Sequence, residues 1–206
     1  MRLHTCTVQF HAALRQLLHL CQYVTNDCFC SLVGSLVHMR LDYSNFVLVG
    51  LPAYQQRHLE TVLNAAAHLV YQLRRNDHIT DTFATLHWLH LPERVDLKVA
   101  VTACRVPHGI APPYLNQLVR VTDLRGRRRL CSSSSQLLHV PPFRRSTVGR
   151  RCLHVAASIF WSSLPMDIQS SPSLPIFRQR LKIFLFRKSF PHIFTMTVLF
   201  SPYTLS

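Results

Sequence analysis

Apolar residues recur along the first half of this chain at spacings of three and four, the signature of amphipathic helices. From Val8 to about Gln22, the positions Val8, Ala12, Leu14, Leu18 and Cys21 predict a first helix. Thr25 or Asn26 offers a side-chain oxygen to cap the next one. Phe29, Leu32, Val33, Leu36 and Val37 then repeat as i, i+3, i+4, i+7 and i+8, which predicts a second helix reaching at least Leu41. Gly50-Leu51-Pro52 is a break. Pro52 suits a helix start, and Leu59, Val62, Leu63, Ala66, Leu69 and Val70 give a third helix to about Leu73, with Ala65-Ala66-Ala67 adding propensity and room for close approach. Three such helices predict an antiparallel bundle. Arg74-Arg75-Asn76-Asp77 reads as a turn that Asp77 caps, followed by a short helix from Thr80 to Leu86 with Trp88 as a packing anchor. Pro92-Glu93 opens a further helix carrying Val95, Val99 and Ala103, stopped by Pro107 and Gly109; Pro112-Pro113 precedes a short helix from Tyr114 to Leu118.

The pattern loosens beyond Arg120. Arg125-Gly126-Arg127-Arg128-Arg129 and Ser132 to Ser135 make a basic and polar stretch. Leu137 to Val140 and Cys152 to Val155 are candidate short strands, and Phe160-Trp161 with Leu164-Pro165 is an apolar anchor. After Ser173, a last helix shows Leu174, Phe177, Leu181, Phe184 and Leu185 on one face and Arg178, Arg180, Lys182, Arg187 and Lys188 on the other. The expected fold is mainly α: a helical bundle over residues 1–75, a connecting helical segment over 76–119, a basic and mostly helical region with short strands over 120–190, and a tail over 191–206.

Charge sharpens this division. The 206 residues carry 23 Lys and Arg against 9 Asp and Glu, a formal net charge of +14. Residues 1–97 hold seven of each sign, so residues 98–206, with 16 basic residues against Asp123 and Asp167, carry all of the net charge. A neutral apolar half followed by a basic half predicts a packed scaffold with a polyanion-binding surface. Taken singly, Arg144-Arg145 or Arg150-Arg151 is what solvates any ordinary surface, and many surface helices resemble the last one. The whole asymmetry asks for a partner. An apolar content of 48% excludes a disordered basic tail. The apolar run from Ile193 to Phe200 is far short of the ~20 residues a spanning helix needs. The first residues lack the pattern of a signal peptide, so an intracellular protein, nuclear or cytoplasmic and without a membrane partner, is expected.

Seven cysteines, an odd number, read as reduced thiols in such a compartment. Cys28-x-Cys30 with Cys21 has no zinc spacing, and His87-x-x-His90 lies in an apolar setting that favours packing; no metal is assigned. No two acids are adjacent, as paired metal ions would favour, and the nucleotide-binding and hydrolase signatures are absent. Among so many Cys and His, no nucleophile pair stands out. The expectation is a chain without catalytic residues, cofactor or small-molecule substrate.

A succession of short blocks adds a resemblance. In order they are Arg40-Leu41-Asp42-Tyr43-Ser44-Asn45; Gly50-Leu51-Pro52; Leu63-Asn64-Ala65-Ala66-Ala67 with Leu69-Val70; Asp77-His78-Ile79-Thr80; Leu86-His87-Trp88-Leu89; Pro92-Glu93-Arg94; His108-Gly109 with Ala111-Pro112-Pro113-Tyr114-Leu115; Trp161 with Ser163-Leu164-Pro165; and Phe177 with Arg180-Leu181-Lys182. From about Val8 to Pro191 the chain resembles the segment after the polymerase palm in non-LTR retrotransposon reverse transcriptases of the jockey and chicken-repeat type. It departs from that family at Ser44, usually Cys; at Ser162, usually Asn; at Val106-Pro107, normally an Ala-Leu helix end; and at Arg150, where an acid commonly follows the glycine. Residues after Pro191 match nothing in the pattern.

The resemblance implies that the first ~75 residues correspond to the helical thumb that holds the template–primer duplex, and the remainder to the nucleic-acid-binding C-terminal region. The parent polyprotein would be an RNA-directed DNA polymerase, and this chain, without palm aspartates or endonuclease, a non-catalytic part of it. Its partner would be RNA, DNA or their hybrid, held through phosphates by Arg125, Arg127, Arg128, Arg129, Arg144, Arg145, Arg150, Arg151, Arg178, Arg180 and Lys182. Three other readings compete: a degenerate retroelement reading frame with no selected function, a basic module that docks on an acidic protein, and an enzyme of unrecognised type.

Overall fold

The structure, a computed structural model, describes residues 3–44, 48–74, 77–106, 108–111, 113–115, 118–124 and 137–192. Its helices are α1 (Leu3–Leu20), α2 (Asn26–Ser44), α3 (Ala53–Tyr71), α4 (Thr80–Thr85), α5 (Leu91–Arg105), α6 (Ser146–Gly149), α7 (Leu153–Ser163), α8 (Met166–Gln169) and α9 (Leu174–Ser189), with 3-10 turns at Pro113–Leu115 and Val121–Asp123. The fold is mainly α, and no strand occurs among the described residues. The chain divides into two compact units. The first comprises Met1–Ser44, Pro52–Glu93 and Leu185–Ser206; the second comprises Asn45–Leu51 and Arg94–Phe184.

In the first unit, α1, α2 and α3 all pack against one another. The stripe of α2 is Phe29, Val33, Val37 and Leu41, each at most 4% exposed. Steps of four advance slowly around a helix of 3.6 residues per turn, so these residues stay on one face. Leu32, expected on that stripe, lies on its flank and is exposed. In α3 the buried face is Leu59, Val62, Leu63, Ala66 and Ala67. Pro52 stands immediately before its first residue, and Gln72 ends it in the left-handed region (φ 49°), its N–H returning to the His68 carbonyl.

The face expected for α1 is corrected. Thr7, Phe10 and Leu14 are buried, whereas Val8 and Leu18 are exposed. Two stripes compete in that sequence, and the one with the large Phe10 ring removes more apolar area from water. Asp77 does close the turn after α3: its carboxylate accepts the Arg74 N–H at 2.7 Å, and its own N–H donates to the Arg74 carbonyl. Arg75 and Asn76 lie outside the described residues.

In the second unit, α5 buries Val95, Val99, Ala100, Val101, Ala103 and Cys104. Where a helix is expected from Tyr114 to Leu118, the described residues hold the 3-10 turn Pro113–Leu115; Asn116 and Gln117 lie outside them. Both expected strands are corrected. Leu138 forms one isolated antiparallel bridge with Arg120, flanked by Val121 N–H to Leu137 carbonyl (2.9 Å) and His139 N–H to Val119 carbonyl (2.8 Å). Residues 153–155 instead begin α7, where Val155, Ala157, Ser158 and Trp161 are buried. A run of four residues with a single β-branched side chain fits either state, and the apolar continuation to Trp161 decides for a helix. Trp161 stacks on Phe177 of α9 (5.3 Å between centroids), and Gln169 of α8 donates to the carbonyls of Trp161 (3.0 Å) and Leu164 (2.7 Å) at the end of α7, the first of which also accepts the Leu164 N–H (3.1 Å). Phe177, Leu181 and Leu185 are fully buried, as the spacing of the last helix predicts.

Candidate nucleic-acid interface

The two units differ sharply in charge. Assigning every Lys, Arg, Asp and Glu of the sequence to its unit gives the second 15 cations against three acids, a net +12, and the first eight against six, a net +2. Of the cations expected to contact phosphate, Arg125, Arg127, Arg128 and Arg129 lie outside the described residues. The other seven belong to the second unit and all are exposed.

Four of them are gathered by one short piece of chain. Arg144 and Arg145 precede the single turn of α6, and Arg150 and Arg151 follow it. The turn is closed by the Gly149 N–H on the Arg145 carbonyl (2.7 Å) and left through the Arg151 N–H on the Val148 carbonyl (3.1 Å). One turn rises ~5.4 Å, so the two pairs stand close together. The side chains of Arg144, Arg145 and Arg150 make no hydrogen bond or ion pair with another described residue. Arg151 is anchored: its Nε–H donates to the Gly50 carbonyl at 3.2 Å, which leaves its terminal nitrogens for other acceptors. Gly50 has a φ of +65°, and a Cβ there would come within 3.1 Å of Arg151 Cγ.

The ring of Phe143 rests on this turn. A Cβ at Gly149 would lie 2.5 Å from Phe143 Cβ and 2.6 Å from Cδ2, a separation real Cβ atoms do not adopt. Glycine at 149 is therefore what lets the ring settle there. No described cation sits over that ring.

The cations of α9 are not brought to one surface. At about 100° per residue, Arg178 and Lys182 share one flank and Arg180 lies on the other. Arg180 Nη1 donates to the Asp167 carbonyl of α8 at 2.6 Å, so this side chain also ties two helices together. The charges of Arg120 and Arg178 both act on the Cys104 thiol. Burial pushes that thiol up to about 11, while the two guanidinium groups, Arg120 first, pull it down. Arg120 and Phe143 were not among the expected contact residues. The signal for Phe143 was present in Phe143-Arg144-Arg145, an aromatic residue directly before paired cations.

Little else in the described residues suggests chemistry. Cys152 Sγ lies 3.4 Å from His154 Nδ1, but His154 Nε2 is buried without a partner, so no third group orients this pair. In the first unit, the two histidines of His87-x-x-His90 are engaged separately. His87 stacks on Phe186, and His90 meets the Glu60 carboxylate at 2.7 Å. No group of three metal-ligating side chains is poised around a common point among the described residues, and no helix there is long and apolar enough to cross a membrane. No family model, curated protein or solved structure matches the chain.

Proposed function

We propose that this chain is a non-catalytic, nucleic-acid-binding segment of a retrotransposon-encoded RNA-directed DNA polymerase, which grips template or primer through phosphate contacts. The observation that carries the binding role is the concentration of +12 in the second unit, with Arg144, Arg145 and Arg150 exposed around one helical turn and without a side-chain partner among the described residues. Uncompensated like charges repel, and a polyanion relieves that repulsion while releasing its own condensed counterions. The retroelement origin rests on the ordered sequence blocks alone.

Binding of this kind is sequence-tolerant and steeply salt-dependent. A titration of the full chain with a labelled oligonucleotide should give a log–log salt slope that rises in magnitude by about 0.7 to 0.9 per phosphate neutralised. Arg144→Glu with Arg145→Glu should flatten the slope by one or two; a wild-type slope near zero overturns the binding role. The origin is tested separately, since the genomic sequence upstream should encode a polymerase palm.

A further inference from the structure

Phe143 is 37% exposed, although the same unit buries Trp161 to 4% and Phe177 completely. An aromatic ring left in water forfeits apolar burial that the fold achieves elsewhere. This one is also held in place: its Cβ and one edge of the ring lie against Gly149, where even a single added carbon would collide at 2.5 Å. Arg144 and Arg145 follow it directly, and Arg150 and Arg151 leave the far end of the same turn. The backbone of that turn and the Arg151 bond to Gly50 fix the group without any ligand.

We propose that residues 143–151 form a binding site for single-stranded nucleic acid, in which an unpaired base stacks on Phe143 and the flanking phosphates are held by Arg144, Arg145, Arg150 and Arg151. This rests on the nucleic-acid reading above and narrows it. Phosphate contacts alone do not distinguish a duplex from a single strand, because both present the same anions. A stacking platform does, because bases in a duplex have their faces covered by neighbours while an unpaired base offers its own. The ring is already positioned by Gly149, so little ordering entropy opposes stacking. RNA and DNA share this chemistry, and the site accepts either.

The test uses the full chain with a labelled oligo-dT or oligo-rU of about 15 nucleotides, a length that spans common single-strand sites, and a hairpin duplex closed by a non-nucleotide linker, which has no unpaired base, as comparison. Phe143→Ala and Phe143→Leu should each weaken single-strand binding about 5- to 150-fold, the range set by loss of one stacked base, and leave hairpin binding within twofold. Leucine keeps apolar volume against Gly149, so a fold defect in the alanine variant does not decide the outcome. Phe143→Trp should retain affinity, and its indole emission should be quenched by the single strand and not by the hairpin. Single-strand affinity within twofold of wild type for Phe143→Leu overturns the stacking site, as does an equal loss on both ligands. With the steep salt slope intact, either result leaves phosphate binding standing; a wild-type slope near zero removes both.

Discussion

The clearest energetic consequence lies in the first unit, where Glu60 of α3 serves two donors at the start of α5. Its Oε1 meets His90 Nδ1 at 2.7 Å, and its Oε2 accepts the Leu91 N–H at 2.8 Å. The two side chains are 30% and 22% exposed, so water screens the pair only in part. Phe83 and Phe190 lie against the imidazole at 5.0 and 5.1 Å between centroids. The Glu60 hydrogen bond raises the His90 pKa above its ordinary 6.5, burial opposes it, and the charges of Glu60 and Glu93 reinforce the rise; Glu93 itself lies 3.9 Å from Lys188.

Glu60→Gln keeps the volume and one acceptor oxygen but removes the charge. A hydrogen bond to a charged group contributes about 1.5–3 kcal/mol and a neutral one about 1, so the loss should be about 1–2 kcal/mol below the His90 transition. At about 2–4 °C per kcal/mol for a chain of this size, Tm should fall by about 2–8 °C. The sign with pH follows from the raised pKa. The folded state holds the proton more tightly than the unfolded one, so the added stability is complete below the unfolded value near 6.5 and is lost as pH rises through the higher folded value. Thermal unfolding by circular dichroism, from about pH 5.5 to 8.5, should therefore show the wild-type advantage over Glu60→Gln shrinking as pH rises. Comparing the two proteins cancels the other histidines. A gap that is constant with pH, or that widens towards alkaline pH, refutes the linkage.

Three further outcomes follow from the second unit. Ser158 is fully buried and its hydroxyl donates to the His139 carbonyl at 2.9 Å, so Ser158→Ala strands that acceptor and should cost about 1–2 kcal/mol by urea unfolding. Gly50→Ala should cost about 1–2 kcal/mol in the same assay, since alanine at φ +65° is strained and its Cβ crowds Arg151. In the native chain the Cys104 thiol, buried and with its pKa pushed up to about 11, should react with iodoacetamide far more slowly than the exposed Cys28 and Cys152, a contrast that mass spectrometry of the alkylated peptides reads directly and that denaturant should abolish.

Local periodicity made much of the helical inventory legible. The spans of α2, α3 and the last helix follow from apolar residues that advance by three and four, because a helix places such residues on one face whatever surrounds it. The segregation of charge was equally plain, since counting needs no contacts. Where two stripes were available, as in α1, periodicity alone could not choose, because the choice depends on which side chains the neighbouring helices can cover. The start of α7 was open for a similar reason: a run of four residues, three of them apolar, satisfies a strand or a helix equally until Trp161 finds Phe177.

Pairings between distant residues were beyond the sequence altogether. His90 with Glu60 and Arg151 with Gly50 join residues 30 and 101 positions apart. Such pairs form where the chain returns on itself, and no local spacing encodes that return. The order of residues along the chain determined that this protein is helical and that its cations lie in the second half. Only the tertiary structure decided which of those cations brace the fold, as Arg180 and Arg151 do, and which remain around Phe143 with their charge uncommitted. The physical reason is that a guanidinium group is equally suited to a carbonyl within the chain or a phosphate outside it, and geometry alone distinguishes the two.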